Sequence, residues 1–362
     1  MNLDILNQEY KVLVTGGAGF IGGALVRKLL KNHNLKVFNL DKLSYASDLN
    51  GINSCENSKN HFLFEVDLFN YEATQKAFLE SNPDIVIHLA AESHVDRSIE
   101  NPRKFLDSNI IGTFNILEIS KKHWLNLKAP RKNVFRFIHV STDEVFGSLG
   151  NKGFFSEKTA YDPRSPYSAT KAASDHLVKA WHHTYKFPII KTNCSNNFGP
   201  FQFPEKLIPL IIIKALERLP IPIYGKGDNI RDWLYVEDHV DALLQVINKG
   251  KIGETYCIGG NNEKSNLEIA TIICSMLQRE IPSKYPYSDL IRFVEDRPGH
   301  DKRYAINSEY IKKELGWQPA NSFNQAIHKT IKWYINNQDW CKNIRSKGGY
   351  SGERIGLYKI NS

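Results

Sequence analysis

Three groups of residues in this 362-residue chain have the types and spacing to do chemistry. In "VSTDEVFG", residues 140–147, Asp143 and Glu144 stand side by side after the strand-like run Phe135 to Val140. In "SPYSATK", Tyr167 and Lys171 are one helical turn apart and share a face. In "TGGAGFIGG", Gly16, Gly19 and Gly22 recur at every third position. Glycines there permit a tight turn, let backbone N–H groups approach a pyrophosphate, and let the next helix pack closely. Asp41 follows Gly22 by 19 residues (41 − 22), near the spacing of an acid that binds adenosine ribose hydroxyls. An acid there repels a 2′-phosphate, so the pattern favours NAD over NADP, a preference that Lys42 weakens slightly. The plainer alternative is a tight strand–helix turn with an unrelated capping acid.

The glycine spacing resembles that of the short-chain dehydrogenase/reductase superfamily in its extended form, and Tyr167 with Lys171 matches that superfamily's Tyr-x-x-x-Lys. A free phenol, with a pKa of about 10, is a poor base at neutral pH. A Lys ammonium and a positive nicotinamide nearby would favour the phenolate, which could then take a proton from a sugar hydroxyl. Taken alone, the same residues describe an amphipathic helix with a surface lysine.

The acidic pair adds a second kind of chemistry. In an ideal strand, neighbours 143 and 144 face opposite sides, so both reach one ligand only if the chain turns after Ser141. Thr142 is a suitable helix N-cap, and acids are favourable in a first turn. That helix start is also a rigid way to aim two side chains. Oxidation of a sugar C4 hydroxyl to a ketone makes the C5 proton acidic. Removing it while expelling the C6 hydroxyl requires a base and an acid in one site, such as one ionised and one protonated carboxylate.

These groups need a frame. The runs Tyr10–Thr15, Leu35–Asp41, His61–Asp67, Asp84–Ala90 and Phe135–Ser141 are short and rich in β-branched or aromatic residues. Helical patterns cover 20–30, 71–80 and 103–123. Near-continuous apolar strands alternating with helices predict a parallel sheet covered on both faces, with ligands at the carboxyl ends of its strands. The expected fold class is α/β, a Rossmann-type doubly wound parallel sheet with a smaller C-terminal α/β substrate-binding domain. The expected division is 1–190 for NAD and 191–362 for the substrate, with 190–240 crossing between lobes.

Whole-chain properties exclude other classes. With 41% hydrophobic residues the chain can bury a full core. The net charge of +8 is modest, without a dense Lys/Arg run, which suits an anionic small molecule better than nucleic acid. The start, MNLDILNQEYK, carries acids and reads as no signal peptide, and "LIPLIIIKAL" from Leu207 is too short to span a membrane. Five separated cysteines without C-x-x-C read as reduced thiols in a cytoplasmic protein, with no metal site.

"STDEVFG" resembles the signature of the dTDP-glucose 4,6-dehydratase family, and the resemblance runs nearly end to end. It extends through "LDKLSYA" (40–46), "HLAAESHVDRSI" (88–99), "SNNFGPFQFPEKLIPL" (195–210), "YGKGDNIRDWLYVEDH" (224–239), "EDRPGHDKRYAI" (295–306) and "YSGERIGL" (350–357). Phe146, Phe198 and Gln202 stand where members often carry Tyr, Tyr and His, and Ser47 replaces a common Gly.

The resemblance implies that Thr142 hydrogen-bonds the C4 oxygen and that Tyr167 is the oxidation base, supported by Lys171. Glu144 would take the C5 proton, and Asp143 would protonate the departing C6 hydroxyl. Cofactor contacts would fall on the glycine turn with Phe20 and Ile21, on Asp41, Lys42, Leu43 and Ser44, and on Asp67 and Leu68. They would continue through Leu89, Ala90, Ala91, Glu92 and Ser93 to Ser108 and Asn197. The nucleotide sugar would meet Ser93, Asn196, Glu205, Lys206, Leu207, Pro222, Tyr224, Arg231 and Asn266. Its remaining contacts would be Asp296, Arg297, Pro298, Gly299 and His300. Arg231 and Arg297 suit a diphosphate, because a guanidinium fork binds phosphate oxygens in pairs. The family also implies a homodimer through 103–123 and 166–185. Two rival readings are a nucleotide-sugar epimerase or decarboxylase, in which the acidic pair is generally absent, and a catalytically silent NAD-sensing protein.

Overall fold

In the computed structural model, the described residues are 9–350 together with Leu3, Ile5 and Gly352. Most of the "YSGERIGL" match therefore lies outside the described residues. The first-half strand signals become β1 (Lys11–Thr15), β2 (Lys36–Asp41), β3 (His61–Glu65), β4 (Ile85–His88) and β5 (Arg136–Thr142), followed by β6 (Ile189–Cys194). Beyond them come β7 (Asn196–Phe198), β8 (Ile221–Tyr224), β9 (Ile230–Tyr235), β10 (Thr255–Ile258), β11 (Glu263–Ser265) and β12 (Ile291–Val294). β10 returns to the first sheet, giving seven parallel strands in the order β10-β6-β5-β4-β1-β2-β3. The order reverses between β1 and β4, and a crevice opens outside the carboxyl ends at such a point.

Alternation along the strands feeds two cores. Val12, Val14 and Ile138 pack on one face with Leu25 of α1 (Phe20–Leu29) and with Leu243. Leu13, Val86 and Phe137 pack on the other with Phe78 of α2 (Tyr71–Ser81), Ile116 of α3 (Gly112–Asn126) and Val178 of α4 (Pro166–Tyr185). Ser165 caps α4 by accepting from the Ser168 backbone, and Pro166 fits its first turn. This start fixes Tyr167 and Lys171.

One helix differs from its sequence expectation. The segment 103–123 is not continuous: a short helix, Pro102–Phe105, runs into a π-helical turn, Leu106–Ile111, before α3 begins. Buried Asn109 sits in that wider turn. It accepts from the Glu92 backbone N–H (2.8 Å) and donates to the Glu92 carbonyl (3.0 Å) and the Thr170 hydroxyl (2.9 Å). The turn thus ties the loop after β4 to α4, and π turns are often found at functional sites.

The remaining strands form a three-stranded sheet, β11-β9-β7, and a pair, β12-β8. "LIPLIIIKAL" is the helix α5 (Leu207–Leu216), whose Ile208, Ile211 and Ile212 anchor a third core with Trp233, Ile273 and Ile327. Among the described residues, no helix is long and apolar enough to cross a membrane.

Candidate active site

The chain turns where the acidic pair requires it. Thr142 ends β5, and its Oγ1 accepts from the Glu144 backbone N–H at 3.3 Å. The helix start it caps is a single 3₁₀ turn, Asp143–Phe146, and Gly147 closes it at φ +83. The two acids then occupy different surroundings. Asp143 is 1% exposed; Oδ1 accepts from the Thr142 hydroxyl at 3.3 Å, while Oδ2 has no protein partner. Burial, with the Glu144 and Asp232 charges nearby, holds its carboxyl well above the ordinary range. Glu144 is half-buried; burial raises it too, but Arg297, Lys206 and Arg231 all pull it back. Asp143 is therefore the proton holder of the pair and Glu144 the better candidate for the ionised partner.

Tyr167 and Lys171 line the same cleft as Thr142 and Glu144, 7% and 5% exposed. Lys171 Nζ donates to the Val140 carbonyl at 3.0 Å. Burial lowers the ammonium's pKa. Burial also holds the Tyr167 phenol well above its ordinary value, assisted by Glu144 and opposed by a hydrogen bond with Thr142.

A cleft of about 300 Å³ opens at the carboxyl ends of β1, β2, β4 and β5. Gly16 has φ +72, and a Cβ there would lie 2.7 Å from Ala90 Cα. A Cβ on Gly22 would lie 2.1 Å from the Gly16 carbonyl oxygen. The first turn of α1 carries no acid, so its N–H groups face the cleft without a competing carboxylate. Asp41 closes the far side and also braces the loop: Oδ2 accepts from Ala18 N–H (2.9 Å), and Oδ1 from Leu43 N–H (2.9 Å) and the Ser47 hydroxyl (3.2 Å). Gly19, Phe20, Ile21, Lys42 and Ser44 line the cleft with Asp67 and Leu68. So do Leu89, Ala90, Ala91, Ser93, Ser108 and Asn197. Leu43 and Glu92 do not; the Glu92 carboxylate pairs with Lys42 at 2.6 Å. A backbone cradle with no room for a Cβ at Gly16 or Gly22, an acid-free helix start and a carboxylate opposite them fit a dinucleotide.

A second cavity, of about 450 Å³, adjoins the first across Glu144, Asn196, Asn197, Gln202, Glu205 and Lys206. Leu207, Pro222, Tyr224, Arg231, Asn266, Arg297 and His300 line its remainder. Ser93 faces only the first cleft, and Asp296, Pro298 and Gly299 face neither. Asp296 instead accepts from the Arg297 N–H (2.8 Å) and contacts His300 Nδ1 (2.6 Å), shaping its own loop. Glu205 is engaged at both oxygens, by the Tyr45 hydroxyl (2.6 Å) and Arg97 Nε (2.8 Å). Buried Arg231 donates to the carbonyls of Ile230 (2.7 Å) and Asp301 (2.9 Å), and Lys206 to that of Ser93 (2.9 Å). Cations whose hydrogen bonds go only to carbonyls suit an anionic ligand.

Sequence reading missed Tyr304, which lies under the Arg231 guanidinium (4.2 Å), and Asp232, whose charge bears on Asp143. Both lie inside matched segments, yet their residue types alone mark nothing.

The comparisons agree with this geometry. The GDP-mannose 4,6 dehydratase family model matches residues 13–330. The dTDP-glucose 4,6-dehydratase of Salmonella typhimurium is 51% identical over 349 residues, 94% of this chain and 96% of that protein. The chain belongs to the dTDP-glucose 4,6-dehydratase family. Two solved members of that family superpose closely. The Bacillus anthracis dTDP-glucose 4,6-dehydratase, in complex with NAD, gives a TM-score of 0.81 at 42% identity, covering 92% of this chain and 99% of that one. The Streptomyces venezuelae dTDP-glucose 4,6-dehydratase, with NAD and TYD bound, gives 0.84 at 36% identity with the same coverage. Within this dehydratase family frame, Glu144 sits where the two cavities meet, Thr142 lines the first, and Asp143 is buried beside them and lines neither.

Proposed function

We propose that this chain is a hydro-lyase that dehydrates dTDP-glucose to dTDP-4-keto-6-deoxyglucose with NAD, in deoxysugar biosynthesis of the dTDP-rhamnose type. One observation carries the reading: two adjacent carboxyls on one turn, Glu144 at the junction of two cavities and faced by three cations, and Asp143 buried beside it and holding its proton. Such a pair suits an elimination and serves no purpose in a simple epimerisation.

The glycine loop, the α1 start and Asp41 would hold NAD, with Lys42, Ser44, Asp67 and Ser108 along its cleft. When bound, NAD would supply a hydride acceptor for C4 that is regenerated within each turnover, and a positive charge that favours the Tyr167 phenolate. Tyr167 takes the C4 hydroxyl proton while Thr142 hydrogen-bonds that oxygen. The resulting 4-ketone acidifies C5–H, which Glu144 removes. Asp143 delivers its proton to the C6 hydroxyl, which departs as water. Glu144 returns a proton to C5 and, with the hydride that bound NAD would give back at C6, the sugar would end as a 4-keto-6-deoxy product with the redox balance closed. Arg231 and Arg297 would receive the diphosphate.

The same proposal includes the division at about residue 190, although β10 interleaves the two parts, and a cytoplasmic location. It also includes a homodimer through 103–123 and 166–185, where Leu106, Ile111, Phe114 and Tyr185 are exposed. Incubation with dTDP-glucose in heavy water tests the central claim. The expected product is a 4-keto-6-deoxy sugar carrying deuterium at C5, without net release of NADH. Recovery of a 4-epimer, or of unchanged sugar, defeats the reading.

A further inference from the structure

Behind Tyr167 and Lys171 lies a group of ionisable residues that the proposed dehydration chemistry does not use. Asp175 is one turn beyond Lys171 on α4 and is fully buried. Its Oδ1 lies 2.9 Å from His139 Nε2 of β5. Its Oδ2 accepts from the Tyr161 hydroxyl (2.6 Å), Lys191 Nζ (3.2 Å) and Asn193 Nδ2 (3.3 Å). Lys191, 1% exposed, also donates to Asn193 Oδ1 (2.7 Å) and bonds the Tyr161 hydroxyl. Asn193 Nδ2 in turn donates to the Thr142 carbonyl at 2.9 Å. The group thus touches the helix that carries Lys171 and the strand end that carries the acidic turn.

Stability alone is a poor reason for such a pair. A buried ion pair carries a desolvation penalty that its attraction barely offsets, and apolar replacements of both partners are often neutral or stabilising. We infer that Asp175, anchored by Lys191, is a positioning residue for the oxidation step: through Asn193 it fixes the Thr142 turn, and from one turn beyond Lys171 on α4 it sets a fixed negative charge beside that residue. This rests on the dehydratase reading above. Among the charges on Lys171, Asp175 is the strongest that opposes burial; Cys194 of β6 acts with it and Lys191 against it. His88 of β4 and His139 of β5 also face Lys171, and both rings are held below their ordinary pKa, His139 at about 4, so both are neutral. Asp175 itself stays ionised, held below the usual carboxylate range chiefly by Lys191 against its burial.

Asp175→Asn alone leaves Lys191 buried and unpaired, so loss of folding would be ambiguous. The informative variant is Asp175→Asn/Lys191→Met, made in a Glu144→Gln background where elimination is blocked and oxidation is read as reduced-nicotinamide absorbance after mixing with dTDP-glucose. The expected result is a folded protein whose oxidation is about tenfold slower, the scale of one lost charged contact in the transition state. The alkaline limb of the rate should move to lower pH, because losing Asp175 outweighs losing Lys191 at Lys171. A purely structural pair would change the melting temperature or the substrate KM and leave that limb in place. An unchanged rate and pH profile overturns the inference, as does a double variant that cannot fold, since the charges would then be holding the fold. If the Glu144→Gln parent itself forms no reduced nicotinamide, it is the dehydratase reading that fails.

Discussion

Asp143 and Glu144 share a turn but not an environment, and that difference makes their roles separable. Asp143→Asn keeps the shape but cannot deliver a carboxylic proton, and Glu144→Gln removes the C5 base. Each should still oxidise C4 and accumulate reduced nicotinamide, while product formation falls by roughly 10²-fold or more. Tyr167→Phe should do the reverse, forming little reduced nicotinamide at all. Normal turnover in both carboxylate variants would reduce the pair to a turn start. Asp143 also makes a stability prediction. Its folded pKa is raised, so the folded state binds that proton more tightly than the unfolded chain does. The associated stability is fully present below the ordinary Asp pKa and is lost as pH rises through the folded value. Asp143→Asn should therefore gain stability over the parent as pH rises, seen in melting temperatures at mildly acidic and alkaline pH. A constant offset between the two curves would contradict the raised pKa. The pair, the Tyr–Lys helix turn and the glycine loop were legible in the sequence because spacing alone carries their chemistry. Asp175, Lys191 and His139 were not. Their bonds join positions 16 and 36 apart, and nothing in a residue's type announces that it is buried.

At the scale of elements, the first five strands and the helices after β1 and β3 were readable from alternating apolar runs. The π turn at 106–111 was not, because its apolar pattern is equally that of an α-helix and its cause lies in Asn109's bonds to Glu92 and Thr170. Asn109→Ala strips two backbone groups and a hydroxyl of their partner. It should cost about 1–3 kcal/mol, read as a lower urea midpoint, with weaker NAD binding because Ser93 and Ser108 flank the bonded loop and turn. An unaltered midpoint would show that the π turn stands without this residue. Asp41 does two things at once, bracing Ala18 and Leu43 while lining the cofactor cleft. Asp41→Ala should weaken NAD binding by about tenfold, the scale of one lost charged hydrogen bond, and reduce discrimination against NADP. Titration of cofactor-free protein reads both. Weakened affinity with unchanged discrimination would leave Asp41 only its bracing role.

At the scale of the molecule, the sequence indicated two lobes but not how they interlock. β10 crosses back into the parallel sheet, and the helix Gln338–Gly348 reaches the cofactor side, where Trp340 Nε1 donates to Asp48 at 2.9 Å. One of the apolar surfaces left outward lies on the π turn, α3 and α4. Leu106, Ile111, Phe114 and Tyr185 are each at least 40% exposed. The Phe114 ring meets Trp181 edge-on at 5.9 Å, and Trp181 meets Tyr185 at 5.7 Å, so part of the exposure is one continuous aromatic surface. Scattered apolar residues are ordinary on a monomer, whereas a joined patch marks a contact. If α3 and α4 meet their copies in a second chain, a charge at Phe114 must be buried without a partner at the interface centre. Phe114→Glu should therefore sediment at half the parent mass while still binding NAD, since Phe114 lines neither cavity. A variant that keeps the parent's mass, or a parent that is already a monomer, would assign this surface some other role.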